Sequence, residues 1–446
     1  MKEKEINNVI VGFGKTGESV AEHCLRHDLL FAVADDSELS SRFKSFVTAN
    51  GPRSFTALSN TEFSANDRLI ISPGVPLTHP AIQQALLTGA ELTNDIEMFS
   101  ELRRQPMVMI TGSNGKSTVT HFVGQLLNSV NVNAGVGGNI GTPCLDLLVK
   151  DYDAYVLEIS SYQLELAKSS AADVAVLLNL SPDHLDRYDS VEAYYRAKTH
   201  IFGGCKIAVI KRGLGFDLGI EAGTQVITFG TDAPGDESSF GFREVQGRIY
   251  LARGEENLVA VDALSIKGKH NWLNLLSALA IADAIGGEMG VAMADLLAAL
   301  PAVSGLPHRC EIVGASVSTI IVNDSKSTNP ASTLSAIESF AEPAVNMALL
   351  LGGIGKGANF SVLKTCIEQN VSRCYVYGRD RDVIASQVGP MACVFETLDE
   401  CLEDLRVAAK QPDVVLFSPA CASQDQFNDF EARGEYFKSR AVELFR

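Results

Sequence analysis

The chain has 446 residues, 46% of them hydrophobic and 20% charged, with a formal net charge of −17. That length suits about three domains of ordinary size, and the apolar content supports packed cores rather than disorder. The acidic balance argues against a general nucleic-acid or anionic-membrane partner, and no apolar run reaches the ~18 residues of a membrane span. The nine cysteines include no Cys-x-x-Cys pair, and the opening MKEKEINN carries no apolar signal region. Reduced thiols and a cytoplasmic protein are therefore expected.

In chain order, Val9–Val11 is an apolar run that meets Gly12-Phe13-Gly14-Lys15-Thr16-Gly17, with helical spacing behind it at Val20, Cys24 and Leu25. A second run, Phe31–Ala34, ends in Asp35-Asp36. Strand, G-x-G-x-x-G, helix and an acid about 20 residues on form a dinucleotide fingerprint, with Asp35 placed for a ribose. The same glycines also suit tight helix–strand packing without a ligand. Leu69–Ile71 predicts a strand ending in the turn Ser72-Pro73-Gly74, and residues 1–94 read as a small doubly wound α/β domain.

A second unit, 95–304, follows. Val108–Ile110 leads into Thr111-Gly112-Ser113-Asn114-Gly115-Lys116-Ser117-Thr118 and then a helical pattern. Backbone N–H groups and the helix dipole would face a polyphosphate there. Lys116 would supply charge to the outer phosphates, and Ser117 or Thr118 a hydroxyl for Mg²⁺. The spacing is not the strict P-loop, which wants glycine where Ile110 stands.

Gly135–Gly141 is a second glycine-rich loop. Tyr155–Ile159 predicts a buried strand broken only by Glu158, a carboxylate that burial penalises unless it is paired or metal-bound. Ser160, Ser161 and Gln163 follow. The run Val174–Leu180 predicts another strand, delivering Asp183-His184-Leu185-Asp186 to the same edge. In the helix predicted over Val191–Phe202, Lys198 falls on the face of Val191, Tyr194, Tyr195, Ile201 and Phe202. One outcome is a packed stem with a snorkelling ammonium; the other is a desolvated, reactive amine. Residues 205–265 alternate short apolar runs with turns, as β-structure would. Gly268–Asn274 opens a helix, with Asn271 and Asn274 on one side, for a ligand or for capping.

The pattern restarts in a third unit, 305–446. Leu306–Glu311 precedes a strand. Four further runs, Thr319–Val322, Ala348–Leu351, Cys374–Tyr377 and Val414–Phe417, each end in a polar or glycine turn. The first of those turns, Asn323–Pro330, packs an acid, a base and three hydroxyls ahead of a helix. Together these are the carboxyl edge of an open α/β sheet, where ligands bind.

The blocks ITGSNGKST, GVGGNIG, LEISSYQLE, DHLDRY, YRAK, HNWLN, GLPHR, NDSKSTN, LLGGIGKG and SPACASQDQF stand in one order over nearly the whole chain. In that order they resemble the Mur ligases of bacterial cell-wall synthesis. The resemblance implies three α/β domains: an N-terminal Rossmann-like one, a central P-loop ATPase-like one and a C-terminal Rossmann-like one. It also implies an ADP-forming amide ligase, a monomer, that joins D-glutamate to UDP-N-acetylmuramoyl-L-alanine through an acyl phosphate.

Carried across residue by residue, Gly112–Thr118, Asn271, Arg309 and Asp324 would bind ATP, with Lys116 at the γ-phosphate. Ser117 and Glu158 would hold one Mg²⁺, with His184 and Lys198 helping at a second; Lys198 would be carbamylated. Lys326 would lie near the reacting centre. Thr328, Lys356, Ser423 and Phe430 would form the D-glutamate pocket. Lys15, Thr16, Asp35, Asp36, Ser72 and Gly74 would contact UDP, and Asn139 and Gln163 the rest of that substrate. Ser37 stands where relatives carry an arginine near the uracil. The absence of Asp-Asn-Pro-Arg favours D-glutamate over diaminopimelate. Two rivals fit less: a folylpolyglutamate-synthase-like ligase leaves residues 1–94 unexplained, and an NAD-dependent oxidoreductase leaves 112–118 unexplained.

Overall fold

The computed structural model describes residues 7–36, 41–51, 54–167, 171–184, 187–315, 319–341, 344–408 and 411–444. Ser37, Leu185 and Asp186 lie outside them. The chain divides into two compact units, one made of Met1–Ala260 with Leu276–Leu300, the other of Val261–Leu275 with Pro301–Arg446.

The first unit holds two sheets. One comprises β1 (Asn7–Val11), β2 (Phe31–Ala34), β3 (Phe55–Thr56), β4 (Asp67–Ile71) and β5 (Glu91–Thr93), ordered β3-β2-β1-β4-β5 with every pair parallel. Strand order reverses beside β1, so the Gly12 loop and the Ser72 turn sit at the crevice where such sheets take ligands. Gly12 has φ +85°, and a Cβ there would lie 2.7 Å from Val75 Cγ2; a Cβ on Gly17 would lie 2.2 Å from the Gly12 carbonyl oxygen. Those two glycines let the helix Lys15–Arg26 start hard against the strand.

The other sheet comprises β6 (Met107–Thr111), β7 (Ala134–Gly138), β8 (Ala154–Glu158), β9 (Val174–Leu177), β10 (Ile207–Lys211), β11 (Gln225–Phe229), β12 (Ser239–Val245), β13 (Arg248–Arg253) and β14 (Glu256–Ala260). Its order is β14-β13-β12-β11-β10-β9-β6-β8-β7, parallel from β7 through β12 and antiparallel across β12, β13 and β14. The β-rich stretch expected after residue 205 thus extends the central sheet. Every residue of β6 is buried, as a strand covered on both faces must be. Phe13, Phe99, Met109 and Leu157 share one core cluster, so the two sheets of this unit pack on common apolar ground.

The second unit has one sheet: β15 (Glu311–Ala315), β16 (Ile320–Asn323), β17 (Met347–Gly352), β18 (Arg373–Tyr377), β19 (Ala392–Val394) and β20 (Val414–Phe417), ordered β15-β16-β20-β17-β18-β19. Only β15 runs antiparallel to its neighbour. Met347, Leu349 and Leu351 join one core cluster, whereas Ala348 and Leu350 join another; the twofold alternation of β17 divides them between the two faces.

Two expected elements are shorter than their apolar patterns. The strand over Val174–Leu180 leaves the ladder after Leu177, because Asn179 turns to bond the backbone of the loop after β6. The helix over Val191–Phe202 is α-helical only to Thr199 and tightens to a 3₁₀ turn over His200–Phe202.

Candidate active site

Strand β6 ends between β8 and β9, so the loop after it is flanked by the ends of both neighbours. Gly115 takes φ +83° and caps the helix Lys116–Ser129 without a side-chain bond. Asn179 braces the loop: its carbonyl accepts from Ser113 N–H (3.1 Å) and its Oδ1 from Asn114 N–H (2.8 Å), while its Nδ2 donates to the Asn114 carbonyl (2.8 Å). Ser113 Oγ donates to the Ser181 carbonyl (2.8 Å) and accepts from Ser181 N–H (3.0 Å).

Two amines converge on one carbonyl. Lys116 Nζ donates to Gly112 O (2.8 Å) and Ser113 O (3.1 Å), and Lys198 Nζ donates to Gly112 O (3.0 Å). Lys198 is only 1% exposed, and its Nζ lies 4.7 Å from the Tyr194 ring centroid. Burial, then the nearby Lys116 charge, holds its pKa well below the usual lysine value, with Asp183 and Glu158 opposing. Of the two outcomes open in the sequence, the amine is desolvated rather than snorkelling.

Glu158 closes β8 and is 2% exposed. Its Oε1 accepts from Asn139 Nδ2 (2.8 Å), and among the described residues its buried Oε2 has no hydrogen-bond partner. An orphaned carboxylate oxygen is costly and calls for a cation or a donor. His184 stands apart from that carboxylate's bonds. It has φ +54°, and its Nδ1 hydrogen-bonds Tyr162 Oη (2.9 Å) while its ring edges onto Tyr162 and Tyr194. Tyr194 links back to the loop, donating to Ser113 Oγ at 3.2 Å. Among the described residues no three His, Cys, Asp or Glu side chains gather as a metal cluster, so the candidate set depends on Ser117 and Lys198 as well.

At the first sheet's edge, Asp35 Oδ2 accepts from Phe13 N–H (2.6 Å), tying β2 to the glycine loop. Asp36 is engaged by Ser59 N–H, Ser59 Oγ and His79 Nε2. Ser72 Oγ donates to Gly12 O (2.7 Å). Lys15 and Gly74 are not buried, and Lys15 Nζ reaches the Gly141 carbonyl; Thr16 is half-buried. Gln163 turns inward: Oε1 accepts from Ser160 N–H and Oγ, and Nε2 donates to the buried Asp95. Thus Asp36, Ser72 and Gln163 hold the frame, while Lys15, Thr16 and Gly74 line its open side.

In the second unit Lys326 Nζ lies 3.8 Å from the Phe430 ring centroid. The loops after β17 and β20 pair at Ile354 and Ala422, placing Lys356 (φ +50°) and Ser423 on adjoining turns. Ser423 Oγ is buried with no partner; Thr328 is exposed. Asp324 accepts from Ser418 Oγ (2.7 Å) and Cys310 N–H (3.2 Å), and burial raises its pKa to about 6. Arg309 is half-buried and acts electrostatically on Asp324. Asn271 lies in the first turn of the helix Lys269–Gly286 and donates to the Lys267 carbonyl (3.2 Å).

Three family models cover the chain: the Mur ligase MurD-like N-terminal domain (residues 6–94), the Mur ligase middle domain (110–282) and the Mur ligase glutamate ligase domain (308–421). A UDP-N-acetylmuramoylalanine–D-glutamate ligase of Pseudomonas fluorescens Pf-5 is 39% identical over 98% of both chains. The ligase of the same name from P. fluorescens Pf0-1 is 40% identical over 98% of this chain and 97% of its own. This chain belongs to the Mur ligase family. In fold it is similar to the MurF ligase of Thermotoga maritima solved with ADP, with TM-score 0.61, 18% identity, and coverage of 100% of this chain and 95% of that one.

Within this Mur ligase chain, the site includes residues that sequence reading passed over. Asn179 was hidden inside an apolar run. In the sequence Tyr162, Arg187 and Tyr194 are indistinguishable from packing residues or plain motif letters. Arg187 donates to the Pro73 (3.1 Å) and Val75 (3.3 Å) carbonyls and to Glu165 (2.8 Å), and it stacks 4.4 Å from the Tyr162 centroid. Asn179 alone carried a signal: a lone amide at the exit of a buried strand, opposite a glycine loop.

Proposed function

We propose that this chain is an ATP-dependent, ADP-forming ligase that joins D-glutamate to UDP-N-acetylmuramoyl-L-alanine in peptidoglycan precursor synthesis. The likeness to D-glutamate ligases over 98% of the chain carries the reading. The alanyl carboxylate oxygen attacks the γ-phosphorus, the bond to the bridging oxygen breaks, and ADP leaves. The D-glutamate nitrogen then attacks the acyl carbon, the carbon–oxygen bond to phosphate breaks, and the proton lost from nitrogen passes to the departing phosphate. Both steps build negative charge, and fixed donors answer it best.

Lys116 meets the γ-phosphate by exchanging the Gly112 and Ser113 carbonyls for phosphate oxygens. The orphaned Oε2 of Glu158 and the hydroxyl that Ser117 offers at the helix start fit Mg²⁺. Glu158 and Ser117 would hold one ion, with His184 and Lys198 serving a second, and bound Mg²⁺ neutralises phosphate charge. Lys198 suits carbamylation, because a neutral amine can add carbon dioxide and release a proton, leaving an anion in place of a charge that Lys116 repels. Asn271, Arg309 and Asp324 serve ATP, and Lys326 lies near the reacting carbonyl. Thr328, Lys356, Ser423 and Phe430 hold D-glutamate, with the free Ser423 hydroxyl and the Lys356 ammonium for its carboxylates. The first sheet grips UDP through Lys15, Thr16, Asp35, Asp36, Ser72 and Gly74, and Asn139 and Gln163 meet the rest of that substrate. The domains run 1–94, 95–304 and 305–446, and the enzyme works as a cytoplasmic monomer. Among the described residues no helix is long and apolar enough to cross a membrane.

The test is phosphate release from ATP, Mg²⁺ and UDP-N-acetylmuramoyl-L-alanine across a panel of amino acids. Steady turnover is expected with D-glutamate alone. Turnover that ignores D-glutamate, or that prefers a diamino acid, refutes the assignment.

A further inference from the structure

Arg187 sits where the two sheets of the first unit meet, with its side chain 15% exposed. Its guanidinium grips the backbone of the Ser72–Val75 turn through the Pro73 and Val75 carbonyls. That turn rests directly on the glycine loop: Ser72 Oγ bonds the Gly12 carbonyl, and Val75 fills the space left by the missing Gly12 side chain. On its other side Arg187 pairs with Glu165 and lies flat on Tyr162. Tyr162 in turn fixes His184, whose φ of +54° is strained for a non-glycine residue and needs holding. His184 packs edge-on to Tyr194, and Tyr194 touches both Ser113 and Lys198. An unbroken line of contacts therefore runs from the glycine loop of the first sheet to the phosphate loop of the second.

We propose that Arg187 and Tyr162 are positioning residues that couple the grip of the first sheet on the nucleotide-sugar substrate to the placement of His184 at the reacting centre. The inference rests on the function proposed above. Arg187 suits the task because its planar fork serves two carbonyls, a carboxylate and a ring face at once, which lysine cannot do. Neither residue touches the reacting atoms. Their action is geometric, through the turn on one side and the imidazole on the other.

The experiment compares wild type, Tyr162→Phe, Arg187→Lys, Arg187→Met and the double variant Arg187→Met/Tyr162→Phe. It uses steady-state kinetics for all three substrates and calorimetric titration with UDP alone. Tyr162→Phe keeps the ring and therefore the packing. It should lower kcat about tenfold and leave the KM for the nucleotide-sugar within about twofold. Arg187→Met should weaken UDP binding and raise that KM about tenfold, lower kcat as well, and leave the KM for ATP within about twofold. Arg187→Lys should recover only part of this. The double variant should match Arg187→Met in kcat, because one line of contacts breaks only once.

Unchanged kcat in Tyr162→Phe overturns the coupling, whatever becomes of the arginine variants. Strictly multiplicative losses in the double variant, or equal effects of Arg187→Met on the ATP and nucleotide-sugar KM values, do the same. A wild-type protein without D-glutamate-dependent turnover would instead sink the functional reading itself.

Discussion

Lys198 shows how one side chain's surroundings decide its chemistry. It shares the Gly112 carbonyl with Lys116, so two cations would crowd a single acceptor. Burial and the Lys116 charge push Lys198 toward its neutral form, which relieves that crowding, and the proposed carbamate would reverse it. Lys198→Ala should lower kcat by about a hundredfold or more, with partial rescue by a short added carboxylic acid that fills the void. Near-normal turnover removes Lys198 from the chemistry.

Asp324 makes a second residue-scale prediction. Its folded pKa of about 6 lies above the ordinary aspartate value of 3.8. The folded state thus holds more protons than the unfolded chain between those values, and stability falls as pH rises through that window. The loss approaches about 3 kcal/mol from this group. Urea unfolding at pH 4 and pH 6.5 should show it in the parent and not in Asp324→Asn. Parallel pH dependences would contradict the assignment. In the same unit Arg433 is fully buried, donating to Ser325 Oγ, the Ser325 carbonyl and the Cys421 carbonyl. It clasps the loops that bear Lys326 and Ser423.

Among the elements, strands buried on both faces were the most legible. Val414–Phe417, buried at every residue, matches its apolar run end to end, since such strands read as continuous hydrophobic stretches. The same rule overshot at Leu178–Leu180, where apolar residues continue after pairing has stopped. Phe55–Thr56, with only two residues, had no period to detect. Lys116, Glu158 and Lys198 could be read because each breaks a local pattern. Arg187 could not, because its carbonyl partners Pro73 and Val75 lie 114 and 112 residues away, and Tyr162 takes its role from the Arg187 and His184 that flank it in space.

Gly138 offers an element-scale test. It ends β7 at φ +99°, and a Cβ there would lie 2.4 Å from the Glu158 carbonyl oxygen. Gly138→Ala forces β7 and β8 apart beside the orphaned carboxylate. A destabilisation of about 2–4 kcal/mol is expected, with a fall in kcat larger than any change in the KM for D-glutamate. Unaltered thermal stability would show that the strands yield freely.

For the whole molecule, two compact units imply two cooperative blocks, each with its own core clusters. Calorimetry should give a total unfolding enthalpy larger than the van't Hoff value, as multi-domain chains do. Equal enthalpies would mean that the units melt as one. Fold and family were written over the full length, in three sheets whose carboxyl ends carry the polar turns. What could not be read was the support behind the site, which exists only once distant segments meet.

The arrangement of Lys116 has one more consequence. With its ammonium tethered to two carbonyls of its own loop, the side chain is held folded back over the helix start. Capture is then an exchange of acceptors over a short swing rather than the recruitment of a floppy arm from solvent. In the proposed reaction little entropy would be left to lose, and a terminal phosphoryl group would need only to outcompete two peptide oxygens.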